Sequence, residues 1–223
     1  TRHAPGTTDE VPLPAWISAP APPQVDETPV LSPSQLGGAK AMPGDYSLID
    51  TEAALARGSA LHALLEHLPQ FPRDTWQEVA QSVLQAGDGA QTQDDLDALL
   101  SEATRVLDHP EMAPFLQPQS LAEAEITVEL EELGGRIHGA IDRLLVEPDR
   151  IRILDFKSNA IVPETAAQTP LGITRQMAAY RAALRRIYPD RPISCFIFWT
   201  VTGTMMELPT AQLDASLCTD TAS

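Results

Sequence analysis

The sequence predicts an α/β domain, a central mixed sheet flanked by helices, behind an extended Pro-rich N-terminal linker. Three observations predict it. Residues 121–157 alternate and turn like a three-stranded meander. Helical patterns precede the meander, and another follows it at Leu171 to Tyr188. A continuous apolar run, Ser194 to Val201, then reads as a strand buried on both faces. Helices, meander, helix and strands in that order fit a sheet covered by helices.

The elements follow in chain order. Thr1 to Pro43 holds nine of the 20 prolines and few large apolar residues, so it is expected to be a linker or strap without a core of its own. Trp16 stands out there as a possible anchor on a neighbouring surface. A chain beginning this way is expected to be cut from something longer. The domain proper is expected to cover 44–223. Asp50 can cap a helix to about Leu68, with Ala54, Leu55, Gly58, Leu61, Leu65 and Leu68 as its apolar stripe. His62 lies on that stripe, where a lone histidine is more often a packed core residue than a ligand. Gly58, one turn earlier, costs helix propensity but opens room for a close approach. Helices at about Arg73–Gln85 and Thr92–Leu107 read as packing elements, the second with acidic residues in its first turn where the helix dipole favours them.

Leu121 to Leu130 alternates with Ala122, Ala124, Ile126, Val128 and Leu130 on one face and Glu123, Glu125, Thr127 and Glu129 on the other. Glu125 could serve a nearby site as an outer ligand, although a solvated edge suits it better. Gly134 to Asn159 then makes two strands around Glu147-Pro148-Asp149-Arg150, the Pro-Asp pair supplying the turn. A loop of two or four residues opposes Val146 to Ile151, Leu144 to Ile153, Asp142 to Asp155 and Ala140 to Lys157. Directly opposed side chains sit ~5 Å apart, and like charges there destabilise a sheet. Two aspartates ending an apolar ladder make sense with a cation between them, and hard divalent ions take oxygen ligands. Lys157 follows Asp155 by two and shares its face. A bulge or an odd-length loop would instead place the aspartates on opposite faces. Beyond a loop at Ile161–Thr169, the helix to Tyr188 buries Met177, Tyr180, Leu184 and Ile187 and carries Arg175, Arg181, Arg185 and Arg186. Gln176 and Tyr180, four apart, are neighbours on it. Met205 to Leu208 is expected to pair beside Ser194–Val201, leaving a short polar tail.

At 223 residues the chain can bury one full core. Its two cysteines have no paired or metal-binding spacing, which suggests a reducing, cytoplasmic compartment. No apolar run reaches membrane-spanning length. The net charge of −16 argues at first against a nucleic-acid partner. The distribution is uneven, however: Gly134 to Arg191 holds ten basic and six acidic residues, a basic island on an acidic body.

Four motifs in order then resemble one family. They are Gly58-Ser59-Ala60-Leu61-His62, Gly139-Ala140-Ile141-Asp142, Asp155-Phe156-Lys157 and Gln176-Met177-Ala178-Ala179-Tyr180. This is similar to the GxxxH, GxxD, DxK and QxxxY signature of RecB-family nuclease domains, within the restriction-endonuclease-like PD-(D/E)XK group. The wording GAIDRLLV, ILDFKSN and RQMAAYRAAL most resembles the C-terminal nuclease domain of AddA-type helicase–nucleases, and the Pro-rich lead-in resembles their linker. The resemblance spans nearly the whole chain. It implies that His62, Asp142, Asp155 and the Phe156 carbonyl hold Mg²⁺ or Mn²⁺, and it moves His62 from core residue to ligand. Lys157 would orient the attacking water and stabilise charge at phosphorus. Gln176 and Tyr180 would position the DNA strand, with Arg175 and Arg181 beside them. The four cysteines of an iron–sulfur staple are absent, as is any Walker motif. The implied function is an Mg²⁺-dependent exonuclease module that cleaves single-stranded DNA delivered by the helicase portion of the same polypeptide. In the family such enzymes process double-strand breaks for recombinational repair with an AddB-type subunit. The rival expectation is a catalytically silent nuclease fold kept as a docking module.

Overall fold

The computed structural model describes residues 29–42, 51–86 and 92–217. Trp16 and the Asp50 cap lie outside these residues. Three helices come first, α1 (Thr51–His67), α2 (Trp76–Ala86) and α3 (Gln93–Leu107). Thr92 caps α3 by accepting the Asp95 N–H at 3.1 Å. Strands β2 (Ser120–Leu130), β3 (Gly135–Val146) and β4 (Ile151–Lys157) form the expected meander. Helix α4 (Leu171–Ile187) crosses to β5 (Ile193–Trp199), which runs parallel to β4, and β6 (Thr204–Leu208) returns antiparallel.

The lead-in is not linker throughout. Val30–Leu31 forms a short strand, β1, parallel to β3 at Arg136 and Ile137. Pro33 is buried behind it. The chain then crosses the start of α4, where the Ala39 carbonyl accepts the Gly172 N–H at 2.7 Å. Glycines make this passage possible. A Cβ on Gly172 would lie 2.7 Å from the Gly38 carbonyl oxygen, and one on Gly139 would lie 2.9 Å from Pro33 Cδ. The expected polar tail is also partly structured. Thr210–Leu217 forms α5, its start fixed by the Pro209 carbonyl and its residues Leu213 and Ser216 buried. Leu213 and Leu217 are the only large apolar residues in that helix, too short a pattern to stand out.

Two apolar layers sandwich the sheet. On one face Ile137, Ile141, Leu144, Ile151, Ile153 and Ile197 pack against α4 and α5. On the other, Leu145, Leu154, Phe156 and Phe198 pack against α1, α2 and α3. The α1 stripe differs from expectation in its first half. Leu55 is 68% exposed, while Ala60, Leu61, Leu64, Leu65 and Leu68 are buried. Buried contact on α1 thus begins at Ala60, leaving the first turns outside the helical layer. Among the described residues no helix is long and apolar enough to cross a membrane.

The sheet forks. β2 pairs with β3 along nearly its whole length. On the other edge of β3, β4 pairs only from Arg143↔Leu154 to Val146↔Ile151, and β1 takes Arg136 and Ile137. Between them, β3 and β4 have parted.

Candidate active site

The fork carries the two aspartates. The apolar ladder has the expected register, Leu144 facing Ile153 and Val146 facing Ile151. The opposition of Asp142 to Asp155 and of Ala140 to Lys157 does not continue from it, because the ladder ends at Arg143↔Leu154. The reason is local. Asp142 Oδ2 accepts the Phe156 N–H at 2.7 Å, so a side chain takes a ladder donor of β4. Alternation along β3 also breaks there. Ile141 and Leu144, three apart, pack in the same layer, and Arg143 turns to the α1 side. Opposite Asp142 on β2, Glu123 is the one described non-glycine residue with positive φ, +45°, and the pair between Ala122↔Arg143 and Ala124↔Ile141 is missing. A strained residue facing a broken ladder is a common mark of a functional site.

The aspartates therefore draw partners from opposite helical layers. Asp142 lies 3.5 Å from His62 Nδ1 on α1. His62 Nε2 lies 3.1 Å from the Phe156 carbonyl oxygen, within hydrogen-bond reach. Gly58 permits this approach of helix to strand, since even a Cβ there would come 3.3 Å from Ser158 Oγ. Asp155, 2% exposed, faces α4. Its Oδ1 accepts Gln176 Nε2 at 2.8 Å, and its Oδ2 pairs with Lys157 Nζ at 2.6 Å. Lys157 also donates to Gln176 Oε1 at 3.3 Å, so Gln176 bridges both motif residues.

Charge reinforces the geometry. Burial opposes ionisation of Asp142, but hydrogen bonding and charge from His62, the Lys157 ammonium and the Phe156 N–H together hold its carboxyl below the usual range. Burial pushes Asp155 up despite Lys157 beside it. Burial would lower His62 and Lys157, yet the aspartates raise both. The two carboxyls are thus pushed apart in acidity by their surroundings.

His62, Glu123 and Asp142 each offer a ligand atom, all within 4.8 Å of one another. Two carboxylates, an imidazole and a nearby backbone carbonyl form an oxygen-rich set of the kind that hard divalent ions take. Asp155 Oδ2, buried and paired with the Lys157 ammonium, is a further carboxylate oxygen at the fork. The residues present therefore fit a divalent cation. Glu123 was missed by the sequence reading, which singled out Glu125 instead. Glu125 is exposed and pairs with Ala140. The strained kink, which one strand's alternation cannot reveal, is what brings Glu123 to Asp142.

The residues expected at the DNA strand hold internal partners. Tyr180 is 4% exposed and donates its hydroxyl to the Ala140 carbonyl at 2.5 Å. Arg175 donates to the Ser216 and Leu36 carbonyls, and Arg181 to Asp214. Much of the basic island is similarly engaged: Arg136 with Glu129, Arg150 and Arg152 with Glu147, and Arg186 with Glu132.

A mixed sheet flanked by helices, with an aspartate on one strand and Asp155-Phe156-Lys157 on the next, is a restriction-endonuclease-like fold. A family model of the PD-(D/E)XK nuclease superfamily matches residues 34–210, and the chain belongs to that superfamily. No curated protein matches it. Among solved structures it is similar to a candidate exonuclease from Eubacterium rectale, with 16% identity, a TM-score of 0.48, and coverage of 75% of this chain and 63% of that one. The chain thus spans under two-thirds of that protein's length. It is also similar to the protein SSO0001, with 12% identity, a TM-score of 0.33, and coverage of 75% and 84%.

Proposed function

We propose that this domain is an Mg²⁺- or Mn²⁺-dependent deoxyribonuclease that hydrolyses phosphodiester bonds of single-stranded DNA. The observation that carries the reading is the fork, where Asp142, Asp155, Lys157, His62 and the Phe156 carbonyl converge from three elements. A divalent ion bound there would polarise the phosphate and generate a nucleophilic water. Asp142, Asp155 and the Phe156 carbonyl would hold it with His62, and Glu123 adds a third carboxylate on the α1 side. Lys157 stays protonated between carboxylates and is placed to stabilise negative charge developing on phosphorus. Gln176 fixes the Asp155 and Lys157 side chains relative to each other. Tyr180 fixes the β3 backbone two residues before Asp142. Within this reading, Arg175, Gln176, Tyr180 and Arg181 contact the strand only where DNA displaces their present partners.

The motif wording supports the finer assignment, an AddA-type nuclease module working in the cytoplasm on strands fed by an attached helicase, with an AddB-type subunit, in double-strand break processing. The overall charge of −16 agrees with such delivery, since a domain this acidic binds free DNA poorly.

Cleavage of end-labelled single-stranded DNA with Mg²⁺, Mn²⁺ or chelator tests the reading. Asp142→Asn and Lys157→Met are each expected to lower the rate by about 10²–10⁴-fold. Near wild-type cleavage by either variant would show that the site is elsewhere. A wild-type chain that binds Mn²⁺ but never cleaves would favour the silent docking module.

A further inference from the structure

One buried charge at the fork has no part in the mechanism above. Arg143 follows Asp142 directly and occupies the last paired position before the strands separate, between Ala122 on β2 and Leu154 on β4. It is 5% exposed, on the face that otherwise buries Leu145 and Leu154 against the helices. An apolar side chain would suit that surface. The guanidinium instead donates from Nη2 to the Leu65 carbonyl at 2.5 Å. Leu65 lies in the last turn of α1, where carbonyls lack intrahelical donors. Three residues earlier on α1 is His62.

The surroundings of Arg143 are acidic. Glu66, Asp142 and Glu123 all act on its charge, and two of these belong to the cluster able to hold a metal. Arg143 Nε is buried without a partner among the described residues, so the side chain is held by one strong bond and by its field. A guanidinium burdened in this way is poorly explained as packing alone.

We propose that Arg143 is the positioning residue of the metal centre, tying the end of α1 to β3 so that His62 is held against Asp142 and Phe156. The proposal rests on the metal reading above. The tether works because both ends are short. Arg143 is covalently next to Asp142, and Leu65 is one turn from His62, so a single hydrogen bond sets the relative height of the two ligands. The positive charge also offsets repulsion among Glu66, Glu123 and Asp142 before a cation arrives. Partners behind metal ligands commonly set affinity 10- to 100-fold.

The test is a double-mutant cycle in the full chain, read by Mn²⁺ titration calorimetry and thermal melting. Arg143→Met is expected to weaken Mn²⁺ binding at least about tenfold. Arg143→Lys, which keeps the charge and one donor, is expected to recover part of that loss. In a His62→Gln background, Arg143→Met is expected to add little further loss, because the group it positions is gone. A general structural role predicts the same added loss with His62 present or absent, and that outcome would overturn the proposal. So would unchanged Mn²⁺ affinity in Arg143→Met. If the methionine variant does not fold, the cycle is run with Arg143→Lys, where additive losses again count against the tether. Coupled losses in a chain that cleaves no DNA would sustain Arg143 while refuting the nuclease reading. A wild-type chain that binds no Mn²⁺ would refute both.

Discussion

Tyr180→Phe separates two roles for the QxxxY tyrosine. The ring is buried, and its hydroxyl donates to the Ala140 carbonyl on the stretch of β3 that β4 has left. Removing the hydroxyl keeps the ring packing and leaves that carbonyl without its donor. Ala140 is half-buried, so the loss belongs in the lower part of the usual range for an unsatisfied group, about 1–2 kcal/mol. For a domain of this size, each kcal/mol shifts Tm by about 2–4 °C, giving a drop on the order of 2–8 °C. Differential scanning calorimetry of the metal-free chain reads this directly. Cleavage at saturating metal is expected to fall by less than about tenfold, because the hydroxyl holds β3 and not the substrate. An unchanged Tm with a hundredfold loss of cleavage would refute the reasoning and return the hydroxyl to the DNA.

Other outcomes follow from the same geometry. Gly139→Ala places a methyl 2.9 Å from Pro33 Cδ and 3.3 Å from Tyr180 Oη, and overpacking of that kind costs about 1–3 kcal/mol, measurable by urea unfolding. Starting the chain at residue 44, the boundary suggested by composition, removes β1 and the Ala39 carbonyl. It is expected to lower Tm relative to a chain starting at 29, and equal Tm values would show that the strap is dispensable. His62, raised above its ordinary 6.5 by the aspartates, contributes stability that is fully present below the unfolded value and lost as pH rises through the folded one. The metal-free protein should therefore melt higher at mildly acidic than at mildly alkaline pH. His62→Gln should flatten that slope.

Elements with strong periodicity were legible in the sequence. The alternation at 121–130, the Pro-Asp turn and the apolar run of β5 matched their strands within a residue or two. The hairpin register followed from the turn, whose Glu147 N–H bonds the Arg150 carbonyl at 2.9 Å. Elements stabilised by partners distant in sequence were not legible. β1 is two residues long and exists because β4 vacates the β3 edge. α5 depends on the α4 surface that Leu213 and Leu217 cover.

The site shows the same division more sharply. Its residue types could be found because DxK and GxxD are local in sequence, and His62, which lies beside Asp142 and the Phe156 carbonyl, was singled out only through motif order. Their arrangement could not be read from a regular ladder, because the ladder fails where these residues sit. A continuous β3–β4 pairing would face Asp142 with Asp155 and satisfy the Phe156 N–H by backbone. Instead Asp142 takes that N–H, β3 changes face between Ile141 and Leu144, and Glu123 accepts a strained φ opposite the break. Each departure is unfavourable alone. Together they bring carboxylates, an imidazole and a lysine from β2, β3, β4 and α1 to one place, while Arg143 keeps the buried charge tolerable from behind. The charge that made a cation the simplest explanation of the sequence is therefore distributed around the fork rather than stacked across a strand pair.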